Sequence, residues 1–122
     1  MKESGENYLE TILVLKQRQG AVRSVDIAQE LSYSKPSVSR AMGILRSAGL
    51  IETDKNGFIT LTEEGKAKAE AIYERHRIIA EFLMRVPGVE KEQAVLDACR
   101  IEHVISAGVF EKIRSFVKGS KN

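Results

Sequence analysis

Between residues 6 and 18 the apolar positions Leu9, Ile12, Leu13 and Leu15, closed by Lys16, form a helical stripe with charged neighbours, and Gly20 is suited to stop that helix. Ser24 is placed to cap a second helix, with Asp26 in its first turn and Ile27, Ala28 and Leu31 facing inward. Ser32-Tyr33-Ser34 separates it from a third helix that begins near Lys35-Pro36, where proline is tolerated because a first-turn amide has no intrahelical partner. Val38, Met42 and Leu45 then recur at spacings of four and three, and Gly49 suits the C-terminal cap. Three short helices, the last two joined by a tight turn, predict a helix-turn-helix. The period then switches. Leu50–Thr53 and Phe58–Leu61 are short strand-like runs joined by Asp54-Lys55-Asn56-Gly57, whose Asn-Gly pair tolerates positive φ. A hairpin in that place reads as a wing.

Thr62, followed by Glu63 and Glu64, starts a long helix predicted to reach about Arg85, roughly 34 Å at 1.5 Å per residue, and Pro87-Gly88 ends it. Residues 90–118 read as two further helices, one with the stripe Ala94, Ala98, Ile101 and Ile105, the other with Val109, Ile113, Phe116 and Val117. These stripes exceed the needs of a thin two-helix appendage, and periodicity leaves open whether they cover the long helix or a second copy of the chain. Gly119-Ser120-Lys121-Asn122 is expected to fray. The predicted fold class is therefore mainly α with a small β wing. It comprises an N-terminal winged helix-turn-helix over residues 1–62 and a helical domain over residues 63–122.

Composition narrows the class. At 122 residues, 43% hydrophobic and 30% charged, the chain has the size of one compact domain or two small units sharing a core, with little margin for an enclosed substrate chamber. No apolar run is long enough for a membrane span, the start does not read as a signal peptide, and a single cysteine precludes an intramolecular disulfide scaffold. A reducing cytoplasm is the expected compartment. The net charge of +2, from 19 basic against 17 acidic residues, is too small to argue for nucleic acid. Its distribution says more: between Leu31 and Ile51 the charged residues are Lys35, Arg40 and Arg46, with no carboxylate among them. Lys55 and Asn56 at the wing tip suit a phosphate or a minor groove, and equally suit an ordinary polar hairpin.

The densest chemistry lies in Cys99-Arg100-Ile101-Glu102-His103. At 100° per residue Cys99, Glu102 and His103 share a helix face, and thiolate, carboxylate and imidazole form a partial shell for a divalent transition metal. His76 in the long helix and Glu10 with Asn7 in the first are candidates to complete it. Spacing alone also permits a packed cysteine beside a surface histidine. A thiol-imidazole pair of an enzyme is a further reading of Cys99 and His103. Against that reading, no oxyanion hole, phosphate loop or resolving cysteine is evident.

Ser24-Val25-Asp26-Ile27-Ala28, Lys35-Pro36-Ser37-Val38-Ser39-Arg40, Gly49-Leu50-Ile51, Leu61-Thr62-Glu63-Glu64-Gly65, Arg75-His76-Arg77 and, most specifically, Asp97-Ala98-Cys99-Arg100-Ile101-Glu102-His103-Val104 together resemble the diphtheria-toxin-repressor family of metal-dependent transcriptional regulators. The resemblance runs through nearly the whole chain and in length matches the short, manganese-regulator-type members. It implies a DNA-binding winged helix-turn-helix, a helical metal-binding and dimerisation domain, and a homodimer on a pseudopalindromic double-stranded operator. It implies repression of iron or manganese uptake genes, with metal occupancy fixing the dimer in a DNA-competent geometry.

By the same resemblance Cys99, Glu102 and His103 fall on primary metal ligands, and Glu10 and His76 on ligand positions of manganese-responsive members. Asn7 replaces an aspartate of those members or a methionine of the iron branch, and offers only a neutral carbonyl oxygen. Cys99 stands where manganese regulators have glutamate and iron-responsive ones cysteine. Ala80 and Val95 occupy ligand positions of a second iron-branch site, so one main metal per protomer is expected. A thiolate softens the site, which favours Fe²⁺ with Mn²⁺ close behind through cellular supply, while Zn²⁺, Co²⁺ or Ni²⁺ can bind in vitro. On DNA the implied contacts are Lys35, Pro36, Ser37, Ser39, Arg40, Arg46, Lys55 and Asn56. A metal-independent winged-helix regulator is the alternative within the same fold.

Overall fold

The computed structural model describes residues Glu3–Gly119; Met1, Lys2 and Ser120–Asn122, on which most of the expected frayed end falls, lie outside the described residues. In chain order the elements are α1 (Glu3–Gln19), α2 (Ser24–Leu31), α3 (Lys35–Ser47), β1 (Ile51–Thr53), β2 (Ile59–Leu61), α4 (Glu63–Met84), α5 (Lys91–Ile101) and α6 (Ala107–Gly119). They form two compact units, one up to Glu70 and one from Ala71, so the division falls within α4. The predicted order of a winged helix-turn-helix followed by a helical unit is the observed one. Among the described residues no helix is long and apolar enough to cross a membrane.

In the first unit the predicted stripes are the core: Leu9 and Ile12 of α1, Ile27 of α2, Val38 and Met42 of α3, and Ile51 and Ile59 of the wing are all fully buried. Each helix end has an identifiable cause. α1 stops at Gly20, whose φ of 87° is open to glycine and whose amide donates to the Lys16 carbonyl at 2.9 Å. The expected cap Ser24 is corrected to Arg23. Asp26, three residues on, turns its carboxylate back to accept the Arg23 amide at 2.8 Å, which places Ser24 inside the first turn. Ser34 caps α3, its hydroxyl accepting the Ser37 amide at 3.3 Å, with Pro36 in the first turn. At the other end Gly49 (φ 78°) donates to the Arg46 carbonyl and Leu50 to the Leu45 carbonyl, both at 3.0 Å, which is the double bond of a Schellman ending.

The wing pairs Ile51 with Leu61 and Thr53 with Ile59 in antiparallel register. Each strand is one residue shorter than expected. The Asp54 carboxylate closes the turn by accepting the amides of Asn56 (2.8 Å) and Phe58 (2.9 Å), taking the ends of the loop out of the ladder. Arg23 reaches the tip from the start of α2. Its guanidinium donates to the Asn56 carbonyl and lies over the Phe58 ring, 4.7 Å from the centroid.

α4 is capped by Thr62, as expected: its hydroxyl accepts the Gly65 amide at 3.0 Å and donates to the Gly49 carbonyl at 2.7 Å. This draws the first turn of α4 onto the backbone that leaves α3, and a β-carbon on Gly65 would fall 1.9 Å from the Leu50 carbonyl oxygen.

The second unit packs the C-terminal part of α4 against α5 and α6 around Ile78, Ile79, Ala80, Ala98, Phe110 and Val117, with Phe82, Leu83, Ile101, Ile105 and Ile113 partly buried against them. The stripe expected on α6 is corrected. Phe110, Ile113 and Val117, at spacings of three and four, take the inner face, while Val109 and Phe116, seven apart, share the neighbouring face and are half exposed. Phe116 still meets Phe82 edge-on at 5.7 Å, and Arg85 donates to the Val117 carbonyl at 3.1 Å.

The close approach at Gly65 is backbone against backbone and has no side chain that can yield. Gly65→Ala is expected to destabilise the first unit by about 1–3 kcal/mol, the usual cost of overpacking. Urea denaturation followed by far-ultraviolet circular dichroism measures this, and an unchanged midpoint would refute it.

Candidate metal centre

Three donors sit at the end of α5. The helix stops at Ile101, yet Glu102 keeps right-handed helical backbone and donates to the Ala98 carbonyl at 3.0 Å, while His103 and Val104 continue in tight turns. The shared face expected of a continuous helix therefore survives the helix end. Ligand atoms of Cys99, Glu102 and His103 lie within 4.8 Å of one another. His76, on the part of α4 that belongs to the same unit, brings Nδ1 to 3.3 Å from Glu102 Oε1, and His103 Nε2 lies 4.0 Å from the same oxygen. The side chain of Glu102 is 0% exposed, that of His103 4% and that of His76 14%.

Glu102 tests whether a cation fits. Both its carboxylate oxygens are buried and neither makes a hydrogen bond. A buried carboxylate needs protons or cations within reach, and within its own unit Glu102 is met by imidazole nitrogens at 3.3 and 4.0 Å and by a thiol, themselves metal donors. The residues fit a divalent transition metal. They could hold it through two imidazoles, a thiolate and a carboxylate, and the ion would supply positive charge beside this buried carboxylate. Ala80 and Val95, the positions that the resemblance gives to a second metal site, are apolar and line an open cleft of about 500 Å³ with Tyr73, His76, Glu81 and Met84.

The first unit carries the other predicted residues. Asn7 and Glu10 lie on α1, where the backbone carbonyl of Asn7 accepts the Thr11 hydroxyl at 2.8 Å and Glu10 is buried. On α3, Lys35, Pro36, Ser39, Arg40 and Arg46 are exposed and Ser37 is half-buried, on the sides turned away from Val38, Met42 and Leu45. Arg40 is close enough to Tyr8 of α1 to oppose the rise that burial and the neighbouring Tyr33 impose on that phenol's pKa. Arg46 is drawn toward the wing, its Nε 3.4 Å from the Thr53 hydroxyl. Lys55 and Asn56 are exposed at the wing tip. Arg23, which sequence reasoning did not single out, is the cation that holds this tip. Nothing in its sequence neighbourhood marks it, because Phe58 and Asn56 come more than thirty residues later.

A winged helix-turn-helix with a carboxylate-free third helix, followed by a helical unit with a buried N, S and O donor cluster, defines a DNA-binding protein with an appended metal-binding domain. The comparisons with known proteins agree. Residues 1–58 match the family described as "Iron dependent repressor, N-terminal DNA binding domain", and residues 62–122 match "Iron dependent repressor, metal binding and dimerisation domain". The transcriptional regulator MntR of Escherichia coli is 36% identical over 96% of this chain and 75% of its own length. An uncharacterised HTH-type transcriptional regulator of Methanocaldococcus jannaschii is 29% identical over 100% of this chain and 98% of its own. Among solved structures, the manganese regulator SloR superposes with a TM-score of 0.80 at 30% identity, over 93% of this chain; the chain spans about half that protein's length (53%). The chain belongs to the iron-dependent repressor family of metal-dependent transcriptional regulators. That family is one of regulators, which displaces the thiol-imidazole enzyme reading of Cys99 and His103.

A ligand that binds only the folded state stabilises it by mass action, by about 2.7 kcal/mol at a hundredfold excess over Kd. Co²⁺ is therefore expected to raise the melting temperature of the protein. Glu102→Ala is expected to abolish that rise while remaining folded without metal. Equal shifts in both proteins, followed by differential scanning calorimetry with a chelated control, would remove Glu102 from the site.

Proposed function

We propose that the protein is a divalent-metal-responsive homodimeric repressor of iron or manganese uptake genes. The observation that carries this reading is the buried Glu102 carboxylate, set among Cys99, His76 and His103 with no hydrogen-bond donor of its own. We assign Cys99, Glu102, His103 and His76 as metal ligands, with Glu10 and, as a neutral and weaker donor, Asn7 contributed by α1. The mixed nitrogen, sulfur and oxygen set supports Fe²⁺ as the physiological ion, with Mn²⁺ close behind because supply can override intrinsic preference. Zn²⁺, Co²⁺ and Ni²⁺ are expected to bind in vitro. The apolar Ala80 and Val95 support one main metal per protomer.

DNA is read by α3 and the wing. Pro36, Ser37 and Arg40 are assigned to the groove, and Lys35, Ser39, Arg46, Lys55 and Asn56 to the phosphates on either side. A dimer places two such heads on pseudopalindromic half-sites one helical turn, about 34–36 Å, or a multiple apart. Metal controls the spacing only if it binds the DNA-competent arrangement more tightly than the other. A tenfold preference supplies about 1.4 kcal/mol of bias, and DNA must then raise metal affinity by the same factor.

The test is an anaerobic binding titration on duplexes selected from a randomised library, across Fe²⁺, Mn²⁺, Co²⁺ and Zn²⁺ at fixed free-metal activity, with a chelated control. Tight binding with Fe²⁺ or Mn²⁺ that chelation abolishes is expected. Equal affinity with and without metal would instead make the protein a metal-independent winged-helix regulator. Arg40→Ala is expected to weaken binding and lower the salt slope by about one while leaving the metal-induced thermal shift intact. Affinity equal to the parent's across a salt series would refute that contact.

A further inference from the structure

Ile44 is 64% exposed, the most exposed large hydrophobic residue of the first unit among the described residues. It lies on α3 one turn beyond Arg40 and two turns beyond Ser37. At 100° per residue Ser37, Arg40, Ile44 and Ser47 share one face, and Ile44 falls near the middle of it, opposite the buried stripe of Val38, Met42 and Leu45. The fold covers little of this aliphatic side chain, and the neighbouring Gly43 faces open space, with no atom within 4 Å of a β-carbon built on it. The charged residues of α3 are Lys35, Arg40 and Arg46, so the helix is suited to a polyanion and carries no carboxylate to repel one. A position turned to phosphate is served by lysine or arginine, whereas isoleucine offers a phosphate nothing. Within a major groove the apolar group available to it is the C5-methyl of thymine. Ile44 lies about 10 Å along the helix axis from Ser37, a distance that a groove about 12 Å wide accommodates.

We propose that Ile44 is a specificity-determining residue that reads a thymine by packing against its C5-methyl, next to the base step contacted by Arg40. This rests on the proposal that α3 enters the major groove.

The experiment begins with selection from a randomised duplex library by the full chain loaded with Co²⁺. Each thymine of the recovered site is then replaced singly by deoxyuridine, which differs only in lacking the methyl group. One thymine per half-site is expected to be methyl-sensitive, with uracil weakening the parent roughly threefold to tenfold, the scale of burying one methyl group. Ile44→Ala is expected to bind the thymine and uracil duplexes equally at that position while keeping the parent's response at every other thymine, and Ile44→Val is expected to retain most of the discrimination. Both variants are expected to keep the parent's circular dichroism and Co²⁺-induced thermal shift, because the side chain is largely exposed. Unchanged methyl sensitivity in Ile44→Ala, or a recovered site with no methyl-sensitive thymine, overturns the assignment while leaving DNA recognition by α3 standing. Failure of the library to enrich any sequence refutes recognition by α3 itself, and the role of Ile44 with it.

Discussion

A carboxylate buried without a hydrogen-bond donor is the constraint around which the helical unit is arranged. Burying an ionised carboxylate is costly unless positive charge or donors meet it, and within the second unit the imidazoles of His76 and His103 and the Cys99 thiol stand beside Glu102. Its place in the chain sharpens the point. Cys99, Glu102 and His103 occupy the last turn of α5 and the turn after it, where aligned peptide dipoles give a helix a partial negative charge of roughly half an electron. The helix end and the side chain carry the same sign. Both favour a cation, and neither favours a further anion.

The DNA-binding unit solves a different problem, which is to hold two short helices and a three-residue ladder in one geometry with a small core. It does so by joining chain ends to one another. Thr62 bonds the start of α4 to the backbone leaving α3, Gly65 lets that approach close to contact, and Arg23 ties the start of α2 to the tip of the wing. Each of these contacts spans a break between elements, where a helix-turn-helix would otherwise be loosest. Arg46 adds a fourth such link through Thr53, so one of the basic residues of α3 also helps to orient the wing.

The helices and the hairpin were legible because their signals are local. Apolar spacings of three and four, Asn-Gly in the turn and Thr-Glu-Glu at the start of α4 each act within a few residues, and each element lies where those signals put it. Local reasoning erred where two local solutions compete. Ser24 and Arg23 can both begin α2, and the Asp26 carboxylate decides for Arg23. Phe110 and Val109 can both begin the inner face of α6, and packing against Ile79 and Ala98 selects Phe110. At the candidate metal centre the shared face of Cys99, Glu102 and His103 is readable from spacing, even though α5 ends within it. The approach of His76 to Glu102 is not, because twenty-five residues and three helix boundaries separate them. Arg23 over Phe58 is hidden for the same reason.

How a metal could govern DNA binding follows from which donors move together. Cys99, Glu102, His103 and His76 all belong to the second unit, so an ion held by these four alone would be bound equally well wherever the DNA-reading heads stood. Equal affinity for two arrangements shifts nothing, however tight the binding. In the proposed site these four donors supply affinity, and a regulatory bias requires at least one donor that travels with the winged unit. In the proposed ligand set that role falls to Glu10 of α1, with Asn7 able to add only a neutral oxygen. The weaker Asn7 is, the more of the coupling rests on the single Glu10 carboxylate. A chain that combines a strong, soft, four-donor cluster with a weakened contribution from α1 would therefore hold its metal tightly while coupling it to DNA only modestly. Under the proposed ligand set, tight binding and effective switching are separable, set by different helices.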